Sequence, residues 1–291
     1  MSSMSLDPNE LFKKGIDMYN IWYKFLNREA YNYEAYEFFE KAKNKYNIDK
    51  NYEKMSECYD WMVKCLLDCK SLNEFINIAV LYKDNGDLIH TKLLNWSKAN
   101  EYYNKAITIF TDNGDIKNII KIKEKQGEYY RAAEEHDNAI VTFASILDLY
   151  EDKNYSYTKT CKILFELYVI TNNYEKSFEV VNKLANNNKN LLYTSAEYIY
   201  YAMLNYIILD HELAETKLEQ YCDLHPYFKT HTKCKIIKNI INAISTNDTF
   251  ILNTANSNAS NITSQLFGNI AIENKLFLEI QKIITDGESL L

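Results

Sequence analysis

Five histidines and six cysteines are the side chains of this 291-residue chain best suited to nucleophilic or metal chemistry. His225 and His231 flank Pro226 and could lie close together, but two imidazoles without a carboxylate partner make a poor metal site. His90, His136 and His211 are scattered. The cysteines are Cys58, Cys65, Cys69, Cys161, Cys222 and Cys234; none forms a C-x-x-C pair, and no histidine stands at zinc-ligand spacing from them. Cys65 and Cys69 share a helix face, which reads as a packed, reduced pair of thiols. No G-x-G-x-x-G, P-loop, H-E-x-x-H or G-x-S-x-G occurs. The many carboxylates fall on helix faces, where a solvated ion-pair partner is the ordinary role. These residues point to no catalytic centre, no metal and no cofactor, so the chain reads as a binder and not an enzyme.

The elements that would carry a binding surface are helical. Only 6 Gly and 2 Pro occur, too few for the tight turns of a sandwich, barrel or doubly wound sheet. Hydrophobic residues are 47% of the chain, with 25 Tyr and 13 Phe, enough to bury a large core. The formal charge of −7 disfavours general nucleic-acid binding, which needs clustered Lys and Arg, although a local basic stripe is compatible with it. Met1 to Glu10 has no apolar signal-peptide core, and nowhere are 18 consecutive residues apolar, so a cytosolic protein is expected.

Internal repetition organises the chain. Four small-or-apolar positions recur at offsets 0, 4, 7 and 11: Ala35, Phe39, Ala42, Tyr46; Met55, Tyr59, Met62, Leu66; and Phe75, Ala79, Tyr82, Gly86. The same template fits Ala99, Tyr103, Ala106, Phe110 and Ala139, Phe143, Ile146, Tyr150. Those offsets put all four residues on one stripe of a helix. Starts about 20 residues apart suit one helix and a turn, or about 40 for a hairpin, the tetratricopeptide-like regime. Asp84-Asn85-Gly86-Asp87 and Asp112-Asn113-Gly114-Asp115 read as helix stops with glycine just past the end. Loops are expected at 47–51, 152–154, 172–173, 186–190 and 253–263, and a final helix over Ile270 to Ile284 before a short tail. From Leu191 the pattern becomes longer and more apolar, and Pro226 breaks it. The expectation is all-α: a right-handed solenoid of tetratricopeptide-like helical hairpins over 1–190, then a C-terminal helical bundle with a short tail over 191–291.

Particular motifs carry a resemblance. Leu224, Pro226 and Phe228 form an L-x-P-x-F turn followed by Cys234, Lys235 and Ile236; Ala106 to Gly114 reads AITIFTDNG; Asp137-Asn138-Ala139-Ile140 and Tyr174-Glu175-Lys176-Ser177 stand at repeat starts. In this order and spacing the chain resembles the soluble NSF attachment protein (SNAP) family, its alpha branch in particular. The resemblance implies a twisted sheet of hairpins and a C-terminal bundle. It further implies an adaptor that coats a SNARE four-helix bundle of the syntaxin type and recruits NSF, a hexameric AAA+ ATPase that pulls the bundle apart in vesicular membrane fusion. It implies a cytoplasmic protein, peripheral on the cytosolic face of membranes and monomeric when free.

Site residues follow from the same resemblance. Ile21, Trp22, Tyr23, Phe25 and Leu26, flanked by Lys24 and Arg28, match an exposed apolar segment that touches the membrane, with aromatics suited to the headgroup zone. Packing of the first hairpin is the alternative role for these aromatics. Lys121, Lys159, Lys162, Lys233 and Lys235 match lysines that face the acidic SNARE bundle, acting through steering and many weak contacts. Asp210, Asp286, Glu288 and Leu290 match the ATPase-facing end. The chain departs from the family at Asp115, where a basic residue is usual, at Ala196-Glu197, where a lysine is usual, and at Asn242, Ser245 and Thr246, which replace an acidic cluster. Two other readings stand beside the adaptor: a SNARE-binding mimic that blocks the normal adaptor, and an unrelated tetratricopeptide-type module that binds peptide tails.

Overall fold

The computed structural model describes residues 7–21, 27–69, 74–150, 155–188, 191–261 and 270–288, with the side chains of all of these except 261 and 286–288. Every regular element among them is a helix. The chain forms two compact units, 1–126 and 127–291, and the division falls inside one helix.

The first unit holds α1 (Pro8–Tyr19), α2 (Arg28–Ile48), α3 (Tyr52–Cys69), α4 (Phe75–Lys92), α5 (Trp96–Asp112) and the first part of α6 (Ile116–Ala132). From α1 to α5 each helix packs on the next in sequence, the arrangement of a helical-hairpin solenoid. The recurring stripe is what they bury: Ala35, Phe39, Ala42 and Tyr46 in α2, and Ala99, Tyr103, Ala106 and Phe110 in α5, are all inside. Alanines let backbones approach while the aromatics fill the space between helices. Under two of those aromatics lies a glycine of the preceding helix. A Cβ on Gly15 would stand 2.8 Å from the Phe39 ring, and one on Gly86 2.8 Å from the Tyr103 ring.

Gly86 corrects one expectation. Asp84-Asn85-Gly86-Asp87 does not stop a helix; α4 runs through it to Lys92. Asn85 is buried, with Nδ2 donating to the Ser56 carbonyl at 3.3 Å and to Asp60 Oδ1 at 3.2 Å, and Gly86 is the seat of the Tyr103 ring. The second tetrapeptide behaves as read. Gly114 has φ 69°, its N–H donates to Thr111 O, and Asp115 N–H donates to Phe110 O, a Schellman stop for α5. Four other stops place a non-glycine in the same left-handed conformation, Lys50, Glu134, Asn172 and Asn247, each with the same six-to-one bond behind it. That is how so few glycines end so many helices; each such residue costs about 1 kcal/mol.

The second unit begins with the end of α6 and continues through α7 (His136–Leu147), α8 (Tyr155–Ile170) and α9 (Tyr174–Asn187) to α10 (Leu192–Leu209), with each helix from α7 to α10 packed on the next. Gly127 at its start lies under Phe143, where a Cβ would meet the ring at 2.7 Å. α10 is the hub. Eleven of its residues are buried, including the unbroken run Tyr198 to Asn205, because it is covered by α9, α11 (Ala214–Leu224), α12 (Pro226–Thr230), α13 (Thr232–Ser245) and α15 (Ile270–Glu288). A helix apolar on every side must be enclosed, so the change of pattern after Leu191 marks this position. Pro226 sits at the first position of α12, where its missing N–H costs nothing.

The expected loop at 253–263 is wrong over 253–261, which belongs to α14 (Thr249–Asn261); 262–263 lie outside the described residues. Composition misled here. Asp248 caps the helix by accepting from the N–H groups of Phe250 and Ile251 at 2.8 and 3.1 Å. Leu252, Ala255 and Ala259 then form a buried stripe, and the hydroxyls of Thr254, Ser257 and Ser260 each turn back onto the carbonyl four residues earlier. The last helix, α15, also outlasts its expected end at Ile284 and reaches Glu288.

Candidate partner-binding surfaces

The five expected lysines divide by what surrounds them. In the first unit Lys121 is exposed on α6, and Lys117, one turn earlier on the same face, is exposed too. Its spacing of four from Lys121 is the signal for Lys117 in the sequence. Lys125, a further turn along, is committed instead to Asp87 of α4 at 2.5 Å.

In the second unit Lys159 is exposed on α8, and Lys162 three residues on is half-buried. Burial lowers the pKa of Lys162 against the attraction of Glu166 and Glu197, and its ammonium stands 5.9 Å from the Tyr198 ring centre. Burial likewise raises Glu166, offset by Arg131 at 3.4 Å. On α13, Lys235 is exposed but Lys233 is 2% exposed. Lys233 Nζ donates to Glu197 Oε2 of α10 at 2.6 Å and lies 4.4 Å from the Tyr200 ring centre. Residues two apart on a helix point roughly 200° apart, so one lysine of this pair faces solvent and the other the core. Lys233 is therefore placed as a core cation that fastens α13 to α10.

Glu197 explains that placement. It stands where a lysine is usual in the resembled family, and it is the acid on which Lys233, Lys162 and His231 all draw. His231, whose pKa burial lowers, accepts from Lys233 N–H through Nδ1 at 3.3 Å. Next to the pair, the Tyr200 hydroxyl donates to Glu273 Oε1 of α15 at 2.7 Å, joining a third helix to the cluster. Burial of an acid–base pair across helices separated by 36 residues has no local signature.

Asp210 is half-buried at the end of α10, and its Oδ1 accepts from the Leu213 N–H at 3.1 Å, shaping the turn into α11. Asn242, Ser245 and Thr246 are exposed around the end of α13, with both hydroxyls bonded to the Asn242 carbonyl. Asp286 and Glu288 lie within α15, with side chains outside the description, and Leu290 lies outside the described residues. Asp115, the other departure, caps α6 by accepting from the Asn118 N–H at 3.1 Å.

Of the apolar segment, Ile21 is half-buried, while Trp22, Tyr23, Phe25 and Leu26 lie outside the described residues. Its flanks are held to one acid: the Tyr19 hydroxyl donates to Asp68 Oδ2 at 2.5 Å, and Arg28 pairs with Asp68 Oδ1 at 2.9 Å. Burial, reinforced by the hydrogen bond to Asp68, raises the Tyr19 phenol well above its usual value. Among the described residues no helix is long and apolar enough to cross a membrane, and no group of three or more His, Cys, Asp or Glu could hold a metal.

Paired helices packed in series, with alanine–aromatic stripes inside and charged faces outside, define a tetratricopeptide-like helical protein. The family described as "Soluble NSF attachment protein, SNAP" matches residues 7–258, and the chain belongs to that family. The beta-soluble NSF attachment protein of Bos taurus is 26% identical over 217 residues, covering 72% of this chain and 71% of its own. The alpha-soluble NSF attachment protein of Homo sapiens is 23% identical over 216 residues, 72% of each chain. The alpha protein of Dictyostelium discoideum is 27% identical over 149 residues, 49% of this chain and 51% of its own.

Proposed function

We propose that this chain is an attachment-protein adaptor, which binds SNARE four-helix bundles and brings an NSF-type AAA+ ATPase to them for disassembly in membrane trafficking. Family membership across residues 7–258 is the observation that carries the reading. The adaptor would do no chemistry of its own; ATP hydrolysis would belong to the partner. Lys121, Lys159 and Lys235 are exposed and Lys162 half-exposed, so they are the cations on offer to an acidic helical bundle. Lys233 would contribute by holding α13, and with it Lys235, in place. Asp210, Asp286 and Glu288 of α15, and Leu290 would face the ATPase, and the segment from Ile21 to Leu26 would touch the membrane from the cytosolic side. The free protein would be a monomer, in two units divided at 126/127 by packing and with hairpins giving way to a bundle after Leu191.

The test mixes the full chain with a purified SNARE bundle and NSF. A ternary complex should form with a non-hydrolysable nucleotide and come apart with ATP. Failure to capture the bundle would overturn the reading. Asn242, Ser245 and Thr246 support a second one, a mimic that occupies the bundle without engaging the ATPase, since three uncharged exposed residues stand where the family carries acids. NSF hydrolysis separates the two: stimulation means an adaptor, inhibition a mimic.

A further inference from the structure

The second unit contains a pair of sulfurs that its adaptor reading does not use. Cys222 of α11 and Cys234 of α13 are 12 residues apart in sequence, and the turn made by α12 brings their sulfurs to 3.8 Å. Both are free thiols. Cys234 is fully enclosed, whereas Cys222 is 8% exposed and lines a groove of about 520 Å³. Lys229 and Lys238 line that groove, and so do Glu215, Glu219 and Asp223 along α11. Burial and then the neighbouring Cys222 push the Cys234 thiol up to about 11, against the pull of Lys238 and Lys229. A thiol buried in apolar surroundings is the less reactive of the two, so Cys222 is the sulfur a ligand in the groove would meet first. Cys58 and Cys161 are buried, with burial pushing their thiols up to about 12 and about 11, and Cys69 donates to the Cys65 carbonyl of its own helix at 3.2 Å.

We propose that Cys222 and Cys234 form a thiol–disulfide exchange site, entered from the α11–α13 groove and specific for a small disulfide of the glutathione type. The ligand's carboxylates suit Lys229 and Lys238, and its ammonium groups suit the acidic wall of α11. In the first step the Cys222 thiolate attacks one sulfur of glutathione disulfide, forming a mixed disulfide and expelling one glutathione thiolate, which takes up a proton. Cys234, after losing its proton to solvent, attacks the Cys222 sulfur and expels the second glutathione. Two protein thiols are oxidised to one disulfide, and one glutathione disulfide is reduced to two thiols. Sulfurs at 3.8 Å must approach by roughly 1.8 Å to bond. The inference does not depend on the adaptor reading, and it is tested without any SNARE or ATPase.

The reduced full chain is equilibrated in glutathione buffers of increasing oxidised fraction, its thiols are trapped by alkylation, and the peptides are mapped. The expected result is loss of two of the six thiols, recovered as a 222–234 link within one chain. Cys234→Ser should accumulate glutathione on Cys222, whereas Cys222→Ser should leave Cys234 unmodified. The wild-type map needs no variant, so a misfolded mutant leaves the test standing. Six thiols still free in the most oxidising buffer would overturn the proposal, as would a link to another cysteine or between chains, or glutathione on Cys234 in Cys222→Ser.

Discussion

The Tyr103 ring lies on the backbone of Gly86, and its hydroxyl donates at 2.7 Å to Asp87, the next residue of the same helix. One aromatic of α5 thus requires a missing side chain and a carboxylate side by side on α4. The Phe39 ring over Gly15 and the Phe143 ring over Gly127 repeat the packing half of this arrangement without the hydrogen bond.

Gly86→Ala should destabilise the protein, against helix propensity. Alanine gains about 1 kcal/mol over glycine in an open helix. Here its Cβ would lie 2.8 and 2.9 Å from two ring carbons and 3.3 Å from the Ala99 carbonyl oxygen, and overpacking of that kind costs about 1–3 kcal/mol. Urea unfolding should show a lower midpoint. In a Tyr103→Leu background the same alanine should become neutral or stabilising, and a loss of equal size in both backgrounds would rule the ring contact out.

Asp87 should make the first unit acid-sensitive. Burial alone would raise its pKa, but hydrogen bonds from Lys125 and Tyr103 and the charges of Lys125 and Lys83 hold it below its usual value. A carboxyl lowered by folding stabilises the native state above the unfolded pKa of 3.8, and that stability is lost as pH falls from there through the folded value. Unfolding free energy should therefore fall below about pH 4 in the wild type. Asp87→Asn should be less stable at neutral pH and show a shallower decline, and parallel curves for the two proteins would count against the assignment.

Lys233 and Lys235, two residues apart, should respond differently to truncation. Lys233→Ala leaves Glu197 buried without its cation, a loss of about 3–5 kcal/mol for a broken buried pair. Lys235→Ala should stay within about 0.5 kcal/mol of wild type. Lys233→Met combined with Glu197→Gln should recover much of the loss, because the pair is removed together. Denaturant titration of the four proteins decides, and equal sensitivity at 233 and 235 would contradict the burial.

Binding to an acidic helical bundle should weaken with salt, since exposed lysines act through a field screened over about 8 Å at physiological ionic strength. Lys121→Ala, Lys159→Ala and Lys235→Ala should each reduce SNARE affinity a few-fold with unfolding midpoints unchanged, and the triple variant should lose most of the salt dependence. A salt-independent affinity would exclude these lysines as the contact.

The stripes at offsets 0, 4, 7 and 11 in α2 and α5 were legible because a helix converts that spacing into one face regardless of what lies opposite, whereas Phe75 of the α4 stripe is exposed and Tyr150 falls past the end of α7. The tetrapeptide Asp-Asn-Gly-Asp was not legible, because identical residues have opposite fates at 84–87 and 112–115. Gly86 continues its helix because Tyr103 sits on it and Asn85 finds partners on α3; Gly114 has no atom within 4 Å of its Cβ position and turns left-handed. The polar run 253–261 misled for a related reason. Its hydroxyls satisfy themselves on the helix backbone, and three small or apolar residues suffice to bury one side of it.

Charge was read least well. Exposure of Lys121, Lys159 and Lys235 agrees with a role at the surface, yet nothing in the local pattern of α13 distinguishes Lys235 from the buried Lys233. The distinction lies in Glu197, 36 residues away, which supplies the countercharge that makes burial tolerable.

The amino-acid sequence alone determined an all-helical chain of paired, amphipathic helices, since periodicity and the scarcity of glycine and proline act within a few residues of one another. Tertiary packing decided which glycine continues a helix, which lysine is withdrawn from solvent, and which cysteines meet. Each of those outcomes depends on an atom supplied by a distant helix, because steric fit, ion pairing and sulfur contact operate over a few ångströms of space and are blind to separation along the chain.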